Sequence, residues 1–217
     1  MNTEIRKSVL KGITVKSDGM KVELSSGKVN IACREIIIKS PVIFQIEPLG
    51  IKEIKNENHE ATRDSNVSFF HPCKLKECCM EGFLNLMPGI LVPGSVIVKS
   101  SSGVIYQLDT DYKVSEKWPC VWISSDESGT SRIKDKQEIF VDYKYSMARI
   151  DTIFVSKDGD IKLQKGIEKR ESPKPDELDK DCIPMINIYL PFNINNITER
   201  NIYPVGRLPV VTEKEVK

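Results

Sequence analysis

One local pattern recurs along the chain and narrows its possible folds more than any other feature. A small polar residue and a glycine stand between short runs rich in β-branched and aromatic residues. Ser17-Asp18-Gly19 precedes Met20–Leu24, and Ser25-Ser26-Gly27 precedes Lys28–Ile31. Ser101-Ser102-Gly103 precedes Val104–Tyr106, and Lys157-Asp158-Gly159 precedes Asp160–Leu163. Glycine supplies the positive φ of a tight hairpin, and Ser or Asp bonds the turn backbone. Short strands separated by such turns predict a sandwich, barrel or meander. No longer repeat marks a solenoid or propeller.

Apolar spacing places the strands. From Glu138 to Met147, Ile139, Val141, Tyr143 and Tyr145 fall on one face and Phe140, Asp142, Lys144 and Ser146 on the other. That period of two predicts a strand with one face on a core. Arg149–Ser156 continues as a second strand and turns at Asp158-Gly159 into Ile161–Lys165. Further strands are expected over Arg34–Lys39, Val42–Glu47, Ser95–Lys99, Val104–Leu108, Cys120–Ser124 and Met185–Leu190. Helical periodicity is poor, with one short turn of helix expected over Cys78–Leu86. Three polar stretches, Lys52–Asn66, Ser124–Gln137 and Ile167–Asp181, read as exposed loops, the last crossing from the main sheet to a final strand.

The fold expected is therefore all-β: a sandwich or jelly-roll-like domain with long charged loops and an extended C-terminal arm. It runs over residues 12–205, divisible into lobes at 12–50 and 88–205, with a charged tail at 206–217. A chain of 217 residues can bury such a core without a staple.

Charge excludes one class of partner. Basic and acidic residues stand at 32 and 31, with no basic stripe, so phosphate neutralisation has nothing to supply affinity for nucleic acid. The stretch from Met1 to Lys11 is polar and lacks the apolar core of a signal peptide, and the apolar run Gly89–Val98 is broken by Pro93-Gly94 and too short to span a bilayer. No membrane partner is expected, and the expected location is the cytoplasm. In that compartment the six cysteines are expected as thiols.

Candidate chemistry is sparse. His71-Pro72-Cys73 followed by Cys78-Cys79 gives candidate metal ligands at His71, Cys73, Cys78 and Cys79. A zinc site needs four tetrahedral ligands, usually as two spaced pairs. Here adjacent Cys78 and Cys79 diverge, and Cys120 or Cys33 completes a site only if the fold brings it near. Buried thiols are the plainer reading. With two histidines, His59 and His71, and no G-x-S-x-G elbow, no nucleophile–base pair is indicated. Asp109/Asp111 and Asp158/Asp160 have the spacing of acid–base pairs or calcium ligands, but they flank turns, where Asp is favoured for its backbone bonds. Phosphate-binding glycine motifs are missing, so no nucleotide cofactor is expected. Trp118, Trp122, Tyr106, Tyr112, Tyr143 and Tyr145 crowd the middle third; they serve a core, or a platform for a glycan.

The central block nonetheless has a familiar order. Val92-Pro93-Gly94-Ser95-Val96-Ile97-Val98 is followed by Tyr106–Val114, by Ile139–Tyr145, and by Arg149-Ile150-Asp151-Thr152-Ile153-Phe154-Val155 with Gly159 and Lys165-Gly166 downstream. This block, Val92 to Pro191, resembles the β modules of tailed-phage baseplate and tail-fibre proteins. A similar module precedes catalytic domains in some large bacterial hydrolases. The resemblance implies a structural part of a phage or phage-like particle (tail, neck or baseplate), not an enzyme, which joins other particle subunits and forms homo-oligomers. The alternative it leaves is a carbohydrate-binding or accessory module acting with a hydrolase. It carries over no catalytic residue.

Overall fold

The structure is a computed structural model that describes residues 3–4, 10, 12–31, 34–61, 73–79, 89–124 and 131–205. The N-terminal strands are β1 (Thr3–Glu4), β2 (Val15–Asp18), β3 (Lys21–Leu24), β4 (Gly27–Ile31), β5 (Arg34–Ile38) and β6 (Val42–Gln45). The middle strands are β7 (Ile51–Glu60), β8 (Cys73–Lys74), β9 (Ile97–Lys99), β10 (Tyr112–Ser115), β11 (Cys120–Ile123) and β12 (Glu138–Ser146). Then come β13 (Arg149–Val155), β14 (Ile161–Gln164), β15 (Ile183–Leu190) and β16 (Ile202–Pro204). Two 3₁₀ turns, Lys76–Cys78 and Glu199–Asn201, are the only helical segments among the described residues. No helix among them is long and apolar enough to cross a membrane. All named strand pairs are antiparallel, and the expected all-β, sandwich-like fold is what forms.

The chain divides into two compact units, Met1–Leu49 with Met147–Lys217, and Gly50–Ser146. In the first, sheet β1-β2-β3-β6 and hairpin β4-β5 share one core with sheet β14-β13-β15-β16. Val15, Val22, Leu24, Ile36 and Ile38 from the N-terminal strands meet Ile153, Val155, Ile186, Ile188 and Leu190 from the C-terminal ones. This division cuts across the lobes 12–50 and 88–205. Ile153, Val155, Ile186 and Ile188 of β13 and β15 need a partner layer, and the N-terminal strands provide it. At the β13–β14 hairpin Gly159 takes φ +88°, as the Asp-Gly signal requires.

In the second unit, sheet β7-β12-β9 and sheet β10-β11-β8 bury Val98, Tyr112, Val121, Ile123, Ile139, Val141, Tyr143 and Tyr145. The alternating face of Glu138–Met147 is buried as its period predicts. The polar stretch Lys52–Asn66, expected as a loop, is instead largely the ten-residue strand β7, with residues 62–66 outside the described set. Its backbone pairs with β12 while most of its side chains face solvent, so a strand forms without apolar alternation. Charged side chains suit such an edge strand, because they discourage pairing with other chains. Val104–Leu108, expected as a strand, makes only isolated bridges, Lys99 to Ile105 and Leu108 to Tyr112. A 3₁₀ turn runs over Lys76–Cys78, and of the helix turn expected at Cys78–Leu86, residues 80–86 lie outside the described set.

Candidate functional site

Three polar clusters hold the charged side chains that sequence reasoning would nominate for chemistry. The first lies in the C-terminal sheet. Arg149 is fully buried; its Nε donates to Asp151 Oδ1 at 2.7 Å and its Nη2 to Asp151 Oδ2 at 3.1 Å. Nη2 also donates to the Glu47 carbonyl at 2.6 Å, and Nη1 reaches Glu168 at 3.3 Å. Asp151 Oδ1 accepts the Gly166 N–H at 2.9 Å. Gly166 is required here: a Cβ would stand 2.0 Å from the Ile150 carbonyl oxygen. The cluster therefore ties the start of the charged arm to β13, assisted by reciprocal backbone bonds between Ala148 and Lys169 at 2.8 and 2.9 Å.

The second cluster is centred on Asp111. Its carboxylate accepts the backbone N–H groups of Gln107 and Arg132 at 2.8 Å each, and the Arg132 Nη2 at 2.5 Å. Its carbonyl accepts from Ser131 Oγ at 2.8 Å and the Ser124 N–H at 3.0 Å. Burial pushes the carboxyl up, but the Arg132 guanidinium and the two N–H groups outweigh it and hold the pKa at about 2. Asp109, at φ 64°, is the turn residue expected of this pair, whereas Asp111 is a buried hub. Asp158 and Asp160 remain exposed turn residues.

The third cluster is built from β7. Glu57 Oε1 accepts from His59 Nε2 at 2.6 Å and from the Lys76 N–H at 2.9 Å, while Oε2 accepts from the Tyr143 hydroxyl at 2.6 Å. The Glu77 N–H donates to the same hydroxyl at 3.1 Å. Burial raises the Glu57 carboxyl, and the His59 and Tyr143 bonds overcome it, leaving the group below the usual carboxylate range. Burial and the adjacent carboxylate raise Tyr143. His59, expected in a loop, lies instead on β7, which turns it inward beside Glu57. The signal that could have found the pair is its i, i+2 spacing before a strand of matching length. The Tyr143→Phe variant deprives Glu57 of a donor in a half-dry site and is expected to cost about 1–2 kcal/mol in urea unfolding. Unchanged stability would mean that the bond carries no weight.

Of the candidate metal ligands, His71 lies outside the described residues, as does Cys33. Cys73 Sγ donates to the Glu60 carbonyl at 3.1 Å, Cys78 is buried, and Cys79 Sγ donates to the Leu75 carbonyl at 3.4 Å. Strand pairing brings Cys120 beside this segment, but β8 pairs Cys73 with Val121 and Lys74 with Cys120. That register sends the two thiols to opposite faces. Burial pushes the Cys120 thiol up to about 11, far from a thiolate ligand. Among the described residues no three His, Cys, Asp or Glu side chains are grouped to hold a metal.

The aromatic residues divide. Tyr106, Tyr112, Tyr143 and Tyr145 are buried, and Trp118 and Trp122 are half-buried, with the Lys117 ammonium 5.9 Å from the Trp118 ring centroid. What does reach solvent is aliphatic. Ile97 (43% exposed), Val104 (50%), Ile105 (64%) and Leu108 (45%) fall within twelve residues on the β9 side of sheet β7-β12-β9. Ile105 lies across from Lys99, whose ammonium is 2.6 Å from Asp142.

Comparison with known families adds one result: the model for a domain of unknown function, DUF4815, matches residues 96–211, just over half of the chain. The chain belongs to the DUF4815 family. The DUF4815 segment begins in the loop before β9 and takes in the Asp111 and Arg149 clusters and the exposed aliphatic residues. Glu57 and the segment Cys73–Cys79 precede it, whereas Cys120 lies within it. No curated protein and no solved structure matches the chain.

Proposed function

We propose that this chain is a structural component of a phage or phage-like particle, from its tail, neck or baseplate, and works by binding other protein subunits without catalysing a reaction. The observation that carries the reading is the aliphatic surface at Ile97, Val104, Ile105 and Leu108. Clustered apolar groups left in water on a β edge mark a surface that another protein covers. Two further features support it. The buried charges Arg149, Asp151 and Asp111 are saturated by partners within the chain, which suits holding loops in place more than turning over a substrate. The most exposed large apolar side chains among the described residues are all aliphatic, while Trp118 and Trp122 are half-buried, which favours a protein partner over a sugar stacked on a ring. The resemblance of Val92–Pro191 to baseplate and tail-fibre modules supplies the setting, and a virion is the corresponding location.

The test is the mass of the purified protein in solution, by light scattering behind a sizing column, with negative-stain imaging of each peak. Closed rings, trimers or hexamers are expected, because particle parts follow point-group symmetry. A monomer at every concentration would overturn the reading.

A further inference from the structure

A groove of about 450 Å³ opens in the first unit between the end of β5 and the start of β14, lined by Ile37, Ile38, Val42, Gly159, Ile161 and Lys162 among others. Among the described residues each of these strands has one neighbour: β5 pairs with β4, and β14 with β13. The backbone groups that β14 turns outward can be assigned. The Ser156 N–H donates to the Asp160 carbonyl at 2.8 Å, which makes Ser156 and Asp160 a hydrogen-bonded pair. Antiparallel pairs alternate, so Phe154 and Lys162 are bonded while Val155/Ile161 and Ile153/Leu163 are not. The N–H and C=O of Ile161 and Leu163 therefore face away from β13, and Ile161 lines the groove. A row of unpaired main-chain groups is a template for one more strand. At strand and sheet spacings a residue takes up roughly 160 Å³, so the groove admits about three.

We infer that this edge is a contact between two copies of the chain, in which β14 of one protomer pairs antiparallel with β14 of its partner across a twofold axis at Ile161. Resting on the assembly reading above, this names one contact of that assembly and requires a dimer or an even-numbered oligomer with twofold axes, such as a hexamer; a trimer would overturn the β14 contact alone. Charge selects both the occupant and the register. With the twofold at Ile161, each Ile161 exchanges hydrogen bonds with the partner's Ile161, and Asp160 lies opposite the partner's Lys162, twice over by symmetry. The segment entering each groove is then three residues long, Asp160 to Lys162, which matches its volume. An axis at Lys162 instead sets ammonium against ammonium, and like charges directly opposite repel. An axis at Leu163 leaves Asp160 facing a glycine. Within one chain Asp160 and Lys162 form only a loose, exposed pair at 3.7 Å, so both are free to exchange partners. Ile161 and Leu163 keep their places against the core, because the strand adds at the edge and not on the face.

Charge exchange tests the contact without disturbing the fold, since both side chains are exposed. Asp160→Lys and Lys162→Asp each create two repelling cross-strand pairs and are expected to weaken self-association about tenfold. The double variant Asp160→Lys/Lys162→Asp restores opposite charges in the same register and is expected to return association to the level of the unaltered protein. Sedimentation velocity over a wide range of concentration reads the dissociation constant, and far-UV circular dichroism checks that each variant is folded. An oligomer indifferent to either single substitution, or a double variant as weak as the singles, overturns the β14 contact and leaves the assembly reading standing. A protein monomeric throughout overturns both.

Discussion

Replacing Arg149 with alanine is expected to lower the unfolding free energy by about 3–5 kcal/mol, the cost typical of breaking a buried ion pair from one side. At this chain length that corresponds to a fall of roughly 10 °C in the melting temperature. Most of the loss does not come from the attraction itself. Arg149 and Asp151 are both shut off from solvent, with side-chain exposures of 0% and 1%, so removing the guanidinium leaves a carboxylate in a dry site with only the Gly166 N–H for company. The Glu47 carbonyl loses its donor as well. This predicts a non-additive pair. Arg149→Met/Asp151→Asn removes both charges, keeps an acceptor for Gly166, and is expected to be more stable than Arg149→Met alone. Thermal and urea unfolding of the three variants settles it. If the double variant is worse than the single by the full cost of a second lesion, the stranded carboxylate is not the source of the loss. The arm that follows Gly166 leaves β13 under the control of this cluster, so the single variants are also expected to expose residues 167–181 to proteolysis earlier than the parent.

The strands most legible in the sequence are those whose side chains alternate between core and solvent. β12 is the clearest: Ile139, Val141, Tyr143 and Tyr145 point inward, and nothing interrupts the count. β13 and β15 are buried along nearly their whole length and are legible instead as short β-branched runs, with the Asp158-Gly159 turn marking the end of β13. β7 was illegible, and the cause is local. Asn56 adopts φ 57°, and the register against β12 slips between Val141 and Tyr143, so Ile54 and Glu57 both turn inward although they are three residues apart. A bulge of this kind breaks the parity on which strand recognition depends. The Asn56 N–H is held by Asp142 at 2.7 Å, a contact 86 residues away in sequence. The same distance hides the Glu57 cluster, since Tyr143 and His59 are both visible in the sequence but nothing local links them. The division into units was hidden for a related reason. Turn signals report neighbours along the chain, whereas the packing of the N-terminal strands onto the sheet of β13 and β15 is decided by which apolar faces remain uncovered.

Asp111 should make the protein measurably weaker in acid. In the unfolded chain its carboxyl titrates near 3.8, and in the folded protein near 2, because the Arg132 guanidinium and two backbone N–H groups favour the charged form over the penalty of burial. A depressed folded pKa adds stability that is fully present above about 3.8 and is lost as the pH falls towards 2. The difference is worth about 2 kcal/mol at neutral pH, taking 1.36 kcal/mol per pKa unit. Other carboxylates also contribute to acid unfolding, so the quantity to measure is the difference between the parent and Asp111→Asn. That difference is expected to stand near 2 kcal/mol at pH 7 and to shrink over the window from about pH 4 to pH 2. The Gln107 N–H bonds Oδ2 and the Arg132 N–H bonds Oδ1, so asparagine, with one acceptor oxygen, also leaves one of them without its acceptor; that loss does not vary with pH, and the part of the gap that shrinks is the charge. A constant gap across the whole range would place the effect in geometry and not in ionisation. The consequence reaches beyond stability. Asp111 accepts from Ser124, Ser131 and Arg132, the residues that border the stretch 125–130, and Arg132 in turn lies 5.6 Å from the Tyr106 ring and donates to the Ile105 carbonyl at 3.3 Å. Loss of the carboxylate therefore loosens the same segment that presents Ile105 and Leu108, and Asp111→Asn is expected to weaken any partner that covers that surface while leaving the β14 edge untouched.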